Sequence, residues 1–142
     1  MTQQFREFVG FTLIEVLLAI GIVGLLAAIA YPSYQDALRK AQRADATNTL
    51  LKIQIAQEKY RNRHPVFTSD LADLPVHING IMYISAEGNY QITMNYANEV
   101  AYEVEAVPVP GGKQEGDECH SFLLNQSGPV IDTDSSKMCW NQ

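Results

Sequence analysis

An uninterrupted apolar segment near the N-terminus constrains this chain more than any other feature. Residues 11–31 read FTLIEVLLAIGIVGLLAAIAY and contain one charged side chain, that of Glu15. As an α-helix the segment would extend about 31 Å, which matches the hydrocarbon thickness of a bilayer. A secretory signal peptide has a shorter apolar region followed by a break, whereas here the helical pattern continues. The segment therefore predicts a transmembrane helix.

The carboxylate of Glu15 is the unusual feature of this segment. A carboxylate at membrane depth costs roughly 3 kcal/mol or more unless it is paired or reaches the interface. Two interpretations follow from the residues alone. Either Glu15 snorkels to the headgroups from one turn inside the helix, or it has a functional partner.

The residues that precede Glu15 form a specific pattern. A short polar leader, MTQQFREFVG, ends in Gly10, and Phe11 opens the apolar run with Glu15 at the fifth position after the glycine. This pattern resembles the prepilin signature of type IV pilins and the related pseudopilins. The resemblance implies that a membrane-embedded prepilin peptidase cleaves between Gly10 and Phe11 and methylates the new amino group of Phe11.

The chemistry of the signature explains its residue types. Cleavage leaves an α-ammonium on Phe11 that stays cationic after methylation, and Glu15 of a neighbouring subunit would neutralise it. In an apolar filament core such a pair also fixes the axial stagger of the subunits, so we expect Glu15 to act in assembly. A side chain at Gly10 would obstruct the peptidase.

The charge of the leader departs from the family pattern, because pilin leaders are usually basic. This leader has only Arg6 beside Glu7, and three basic residues follow the apolar segment: Arg39, Lys40 and Arg43. A simple positive-inside count would place the C-terminal part in the cytoplasm. The signature requires the opposite orientation. We therefore expect a single-pass inner-membrane protein with its head in the periplasm, which later joins an extracellular pilus.

Three residues that weaken helices lie within or at the end of the apolar helix: Gly21, Gly24 and Pro32. Glycine lowers helix stability, and proline removes a backbone hydrogen bond and kinks the helix. Membrane helices tolerate both residue types. The resemblance implies more, since pilins carry helix breakers here and this stretch can unwind in the packed pilus. We favour that interpretation.

A second helical pattern follows Pro32 and runs to about residue 63, where His64-Pro65 ends it. Its apolar positions form one stripe and a neighbouring row: Leu38, Ala41, Ala44, Leu51 and Ile55, beside Leu50, Ile53, Gln57 and Tyr60. Its polar face contains Arg39, Lys40, Arg43 and Asp45. We expect this face to be solvated; the alternative is that it meets acidic heads of neighbouring subunits.

The remaining residues predict a small antiparallel sheet. Residues 64–89 are expected to form a loop, with turn signals at Pro75, at 79–80 and at 88–89 around the apolar stretch 81–84. Alternating apolar residues predict strands at 90–96 and 102–106, joined near residues 97–98. Residues 122–124 predict a third strand, and a turn at 126–128 leads toward Val130-Ile131.

The expected fold class is α+β, with one long N-terminal helix packed on this sheet, as the pilin resemblance independently implies. Residues 1–10 would be the leader, residues 11–31 the membrane and assembly helix, and residues 32–142 the globular head.

Cys119 and Cys139 are the only cysteines, and an even pair in an exported protein predicts a disulfide. A disulfide would close the chain between these cysteines into a loop of about 20 residues and stabilise the head by about 3 kcal/mol. The loop contains Phe-x-Leu-x-Gln-Ser-Gly and is followed by Trp140, which resembles the disulfide-bounded region of type IVa pilins, particularly minor pilins.

We expect no metal site and no cofactor. The three histidines, at positions 64, 77 and 120, are scattered, and no Cys-x-x-Cys is present. Residues 132–136 offer acidic side chains, but they lack the glycine and the following glutamate of a calcium loop. The chain also has no nucleophile elbow and no phosphate-binding glycine loop, so we do not expect an enzyme.

The uneven charge bears on possible partners. Residues 1–63 contain eight Lys/Arg and five Asp/Glu, whereas residues 64–142 contain two and eleven. An acidic distal half offers little to a phosphate backbone, so DNA is not expected as a partner.

The predicted function is a structural subunit, a minor rather than a major pilin, of a type IV pilus that supports twitching motility, adhesion or DNA uptake. Expected partners are other pilins, the prepilin peptidase, the inner-membrane assembly machinery and the membrane itself. The alternatives are a type II secretion pseudopilin and a DNA-uptake pilin with a DNA-binding head.

Overall fold

The structure is a computed structural model, and it describes residues 10–76 and 83–140. The chain forms two compact units, Met1–Ala37 and Leu38–Gln142. Helix α1 spans Leu13–Arg61 and contributes residues to both units. The leader residues 1–9, and with them Arg6, lie outside the described residues. The same holds for His77, the turn signal at 79–80 and positions 81 and 82 of the apolar stretch.

The first unit consists of the N-terminal part of α1. Its apolar side chains are exposed, for example Ile29 at 77%. An 18-residue window of α1 has a mean hydropathy of 2.7, so the helix is long and apolar enough to cross a membrane. Gly21, Gly24 and Pro32 all lie inside the helix, which is not broken at these positions. Their unwinding in a packed filament stays a prediction.

The second unit contains a four-stranded antiparallel sheet in the order β1-β2-β3-β4. Its strands are β1 (Tyr90–Ala97), β2 (Tyr102–Pro108), β3 (Phe122–Asn125) and β4 (Gly128–Pro129). The first three agree with the expected strands, of which the first two were predicted from alternation. A turn was expected at 126–128; the turn in the structure is shorter, because β4 already begins at Gly128, whose φ is 120°. Glycine adopts this conformation without the strain of a Cβ.

One face of α1 packs with the sheet in a single apolar core. Its buried members from these elements are Ala46, Leu50, Ile53, Ala56, Tyr90, Ile92, Tyr102, Val104, Ala106, Phe122 and Leu124. The expected row through Leu50 and Ile53 is therefore the packed face. The expected stripe is not, since Leu51 and Ile55 remain 40% and 57% exposed.

Two short elements lie in the connections. Residues Leu71–Asp73 form a 3-10 turn in the loop after α1, capped by the side chain of Asp70. Helix α2 spans Asp134–Cys139 inside the segment for which only a loop was expected. Thr133 caps α2 by accepting a hydrogen bond from the Ser136 N–H at 3.1 Å, and the Ser136 hydroxyl accepts one from the Thr133 N–H at 3.0 Å. This reciprocal capping pattern is the local signal that sequence reasoning missed.

Candidate functional site

The Gly10–Phe11 bond lies in non-helical chain immediately before α1. Both residues are exposed, and the Phe11 side chain is 82% accessible. A Cβ built on Gly10 would meet no atom of the described residues within 4 Å, so the described part of the fold does not require glycine there. If position 10 must be glycine, the requirement would therefore come from another molecule that binds this segment.

A hydrogen bond between Thr12 and Glu15 stabilises the first turn of α1. The Glu15 N–H donates a hydrogen bond to Thr12 Oγ1 at 3.3 Å, so Thr12 caps the helix. Thr-x-x-Glu is the pattern of a capping box, and a carboxylate in the first turn also interacts favourably with the helix dipole. The expectation for this segment overlooked Thr12, although the pattern was visible in the sequence.

The charge of Glu15 has no partner in the described part of its own chain. The two ion pairs among the described residues are Arg43–Asp117 and Lys137–Asp134, and neither involves Glu15. The Glu15 side chain is exposed among apolar neighbours such as Ile14 and Val16. A carboxylate in such surroundings is an assembly determinant only if a cation from another molecule reaches it.

In the head, the polar face of α1 is only in part the solvated surface that the sequence suggested, since Lys40 is exposed but Arg43 and Asp45 are buried. Arg43 is 4% exposed and forms a bidentate ion pair with Asp117, with Nε–Oδ2 at 2.8 Å and Nη2–Oδ1 at 2.6 Å. Arg39 donates to the Gly116 carbonyl at 3.0 Å. The expectation of a solvated face was therefore wrong for Arg43, because its partner lies far away in sequence and only the fold brings it close.

Asp117 is buried, and burial alone would raise the pKa of its carboxyl. The hydrogen bonds and the positive charge of Arg43 outweigh that effect, and the pKa lies below its ordinary value. Together these contacts hold the loop that precedes the disulfide against α1.

Two further buried polar residues of α1 hold the loop that follows it. Asp45 Oδ2 accepts hydrogen bonds from the Ser85 hydroxyl at 2.6 Å and from Asn89 Nδ2 at 3.1 Å. Gln57 bonds the Thr68 backbone twice, through Nε2–O at 2.7 Å and Oε1–N at 3.1 Å. The expectation of a solvated Asp45 was wrong for the same reason as for Arg43.

The predicted disulfide joins Cys119 and Cys139, with Cα atoms 5.7 Å apart. Cys119 precedes β3 and Cys139 ends α2, so the bridge ties this helix to the sheet. Trp140 packs edge-on against Phe122, with ring centroids 5.8 Å apart. The C-terminal segment is thereby held to the core by one covalent and one aromatic contact.

An exposed apolar helix together with an α+β head and a C-terminal disulfide defines a membrane-anchored subunit of the pilin class. Residues 32–123 match the family model described as "Type IV minor pilin ComP, DNA uptake sequence receptor", and residues 10–31 match the "Prokaryotic N-terminal methylation motif". Because the first model matches more than half of the chain, this chain belongs to the type IV pilin family.

Individual relatives agree with this assignment. The chain is 30% identical over 131 residues to the type IV major fimbrial protein FimA of Dichelobacter nodosus, covering 89% of this chain and 73% of the relative. It is 34% identical over 91 residues to the fimbrial protein EcpC of Eikenella corrodens, covering 59% of this chain and 60% of EcpC, less than two thirds of that protein.

Among solved structures, the non-core minor pilin PilV of Neisseria meningitidis matches with a TM-score of 0.52 at 19% identity, over 70% of this chain and 95% of that one. At this identity the match supports the fold alone. The predicted family and fold class are confirmed.

Proposed function

We propose that this chain is a minor subunit of a type IV pilus. It is made as a membrane-anchored precursor, cleaved between Gly10 and Phe11 by prepilin peptidase, methylated at Phe11 and incorporated into an extracellular filament. The observation that carries this proposal is the exposed apolar helix, whose first turn holds a carboxylate without an ion-pair partner among the described residues. Such a surface is stable in a bilayer or in the core of a filament, but not in water.

Assembly pairs two charges that are each costly in apolar surroundings. Cleavage creates a cationic amino group on Phe11, next to the start of the helix that carries Glu15. When Glu15 of one subunit meets Phe11 of a neighbour, both charges are neutralised and the axial position of the neighbour is fixed. The partners in this step are other pilin subunits, delivered by the inner-membrane assembly machinery.

Two features favour a minor pilin over a type II secretion pseudopilin. The family model that matches residues 32–123 describes a minor pilin. The head is also closed by a disulfide between Cys119 and Cys139, which suits an oxidising compartment and an exposed filament. A type II secretion pseudopilin shares the N-terminal signature, and the location of the mature protein distinguishes the two.

A second candidate function, DNA capture, is favoured by one observation, the words "DNA uptake sequence receptor" in the description of the matched model. The charges of this head oppose it. Residues 64–142 hold only two cations, and one of them, Lys137, pairs with Asp134 at 3.2 Å. The described sheet and loops therefore offer few phosphate contacts, and we assign the chain a structural role.

Fractionation of cells tests the pilus role. Surface filaments are sheared from wild-type cells and from cells that lack prepilin peptidase, and the subunit is detected by immunoblot in the sheared and membrane fractions. We expect the subunit in the sheared fraction only when the peptidase is present. Detection of the subunit in the membrane fraction alone, with none in the filaments sheared from piliated wild-type cells, would contradict the proposal and favour the pseudopilin alternative.

A further inference from the structure

The bond proposed for cleavage lies just outside helix α1. Gly10, Phe11 and Thr12 are non-helical, and α1 begins at Leu13. In hydrolysis, water attacks the Gly10 carbonyl carbon and the C–N bond breaks, which leaves a carboxylate on Gly10 and an ammonium on Phe11. A carbonyl inside an α-helix is hydrogen-bonded to the N–H four residues later, so the helix must open before a peptidase can reach it. The position at which α1 begins therefore bears on cleavage.

Thr12 sets this position through two hydrogen bonds. Its carbonyl accepts from the Val16 N–H at 3.2 Å, which is the first backbone hydrogen bond of α1. Its Oγ1 accepts from the Glu15 N–H at 3.3 Å. Together these bonds are the arrangement of a helix N-cap, in which the capping residue itself is not helical. Thr12 therefore uses both of its oxygen atoms to end the helix on its N-terminal side.

The hydroxyl of Thr12 competes for a donor that would otherwise extend α1. In a helix that continued toward the N-terminus, the Glu15 N–H would bond the Phe11 carbonyl. One residue earlier, the Ile14 N–H would bond the Gly10 carbonyl, which is the group that the peptidase attacks. Neither bond is present among the described residues, because Thr12 Oγ1 takes the Glu15 N–H instead.

Apolar surroundings favour the longer helix once the cap is removed. The first N–H groups of any helix have no partner within the helix. In hydrocarbon no water replaces such a partner, so the carbonyls of the preceding residues are the acceptors that remain. Loss of the Thr12 hydroxyl would therefore draw Phe11 and Gly10 into α1.

We propose that Thr12 is a positioning residue for prepilin cleavage, whose hydroxyl caps α1 and keeps the Gly10–Phe11 bond outside the helix for the peptidase. This inference rests on the proposed function. The cap uses only the backbone N–H of Glu15, and the Glu15 carboxylate accepts no hydrogen bond among the described residues. The two side chains thus serve successive steps, Thr12 in cleavage and Glu15 in assembly.

Cleavage kinetics test the role of the cap. Full-length precursor in lipid vesicles is treated with purified prepilin peptidase, and KM and kcat are measured. Thr12→Val keeps the shape of the side chain but removes the acceptor. Because the peptidase binds only the fraction of precursor whose bond lies outside the helix, we expect KM to rise about fivefold with kcat unchanged. Ser33→Ala, which removes a hydroxyl at an exposed position inside α1, should change neither.

Further variants separate capping from recognition of the threonine itself. Thr12→Ser and Thr12→Asn both keep an acceptor that caps helices well, so both should restore KM. Glu15→Leu retains the backbone donor and should also retain KM. If Thr12→Asn is as slow as Thr12→Val, the peptidase reads the threonine side chain and the capping role is overturned.

The outcomes also distinguish this inference from the pilus role. A wild-type KM for Thr12→Val overturns the inference alone, since the wild-type precursor is still processed as a pilin. If the peptidase does not cleave the wild-type precursor between Gly10 and Phe11, the inference and the proposed processing both fail.

The scissile bond can also be observed directly by NMR. Gly10–Phe11 is the only Gly-Phe pair in the sequence, so isotopic labelling of glycine carbonyl carbons and phenylalanine nitrogens gives a single correlation for this bond. In full-length precursor in micelles, we expect the Gly10 carbonyl shift to move toward helical values in Thr12→Val and to return in Thr12→Ser. An unchanged shift in Thr12→Val would overturn the proposal even if cleavage slows.

Discussion

Glu15 lies one turn into α1, where its backbone is capped by Thr12 and its carboxylate has no ion-pair partner within the described part of its own chain. Within its own chain, the charge of Glu15 therefore stabilises α1 only by its interaction with the helix dipole at the N-terminus. That effect is worth about 0.3–1 kcal/mol, less than the roughly 3 kcal/mol that a carboxylate costs at membrane depth. The balance favours a role for this side chain in contact with another molecule.

Replacing this carboxylate separates membrane insertion from assembly. Glu15→Leu makes the segment more apolar, so we expect normal insertion and normal cleavage, but loss of the subunit from sheared filaments because the Phe11 amino group of a neighbour has no partner. Glu87→Leu, at an exposed head position, serves as the control. Wild-type amounts of the Glu15→Leu subunit in filaments would reject the pairing role.

Arg43 and Asp117 act as one unit, since removing one partner leaves a buried charge without compensation. The pKa of Asp117 is lowered in the folded head from its ordinary value of 3.8, burial being outweighed by Arg43. A carboxyl with a lowered pKa contributes stability above its unfolded pKa. That contribution is lost as the pH falls through the folded pKa.

Asp117→Asn should therefore destabilise the head by about 3 kcal/mol at neutral pH, the usual cost of breaking a buried pair. Urea unfolding of a soluble fragment, residues 35–142, measures this difference at a series of pH values. The difference should shrink below about pH 4, where the carboxyl of Asp117 in the unfolded chain begins to be protonated while the folded carboxyl, with its lowered pKa, is still ionised. Glu118→Gln, at the adjacent exposed position, should show little effect. A difference that is constant from pH 7 to pH 3 would contradict the assignment.

At the scale of elements, the disulfide connects α2 to the segment that precedes β3, across a sequence separation of 20 residues. Helix α2 has six residues and is too short to be stable alone. Its docking depends on the bridge and on the contact of Trp140 with Phe122.

Cys139→Ser should therefore lower the stability of the head by about 3 kcal/mol, from the loop closure that is lost. Thermal unfolding of the soluble head detects this change, and thiol titration should find one thiol in the unfolded variant and none in the unfolded wild type. The double variant Cys119→Ser/Cys139→Ser should match the single variant in stability. Two titratable thiols in oxidised wild-type protein would contradict the bridge.

Elements with a strong hydrophobic period were predictable from the sequence. The alternation at Tyr90, Ile92 and Tyr102, Val104 places the same residues in the core that the structure buries. Helix α2 was not predicted, because six residues show no period and the only signal was the capping pattern of Thr133 and Ser136.

The buried polar contacts of the head were also missed, for a different physical reason. Arg43 and Asp45 follow a pattern typical of a solvated helix face, and nothing local marks Asp117 or Asn89 as their partners. Contacts between residues so far apart in sequence become visible only once the sheet and its loops are in place.

The N-terminal site was predictable because its signature is local in sequence. Gly10, Phe11 and Glu15 form a contiguous motif that needs no tertiary structure to be recognised. The cation that would pair with Glu15 belongs to another subunit in our proposal, so one chain cannot display it. The roles of these residues in cleavage and assembly stay predictions.

For the molecule as a whole, the distribution of charge predicts weak affinity for DNA. Most Lys and Arg residues of the soluble head, residues 35–142, lie on α1. Among the charged residues of the sheet and the disulfide loop, carboxylates predominate. Titration of labelled duplex at two salt concentrations should show negligible binding at physiological salt. A head with Lys59→Ala and Arg63→Ala serves as the control for residual binding at low salt. Sub-micromolar affinity that persists as salt rises would establish a DNA receptor instead.

The mass of the subunit in purified surface filaments tests most directly whether this chain is a processed pilin. We predict a mature chain that begins with N-methylated Phe11 and retains one intramolecular disulfide. Gly10→Val should leave the uncleaved precursor in the inner membrane, since the described residues leave room for a side chain at position 10 and in our proposal the peptidase does not accommodate one. Filaments that contain a chain beginning at Met1, or an unchanged mature mass for Gly10→Val, would contradict cleavage after Gly10.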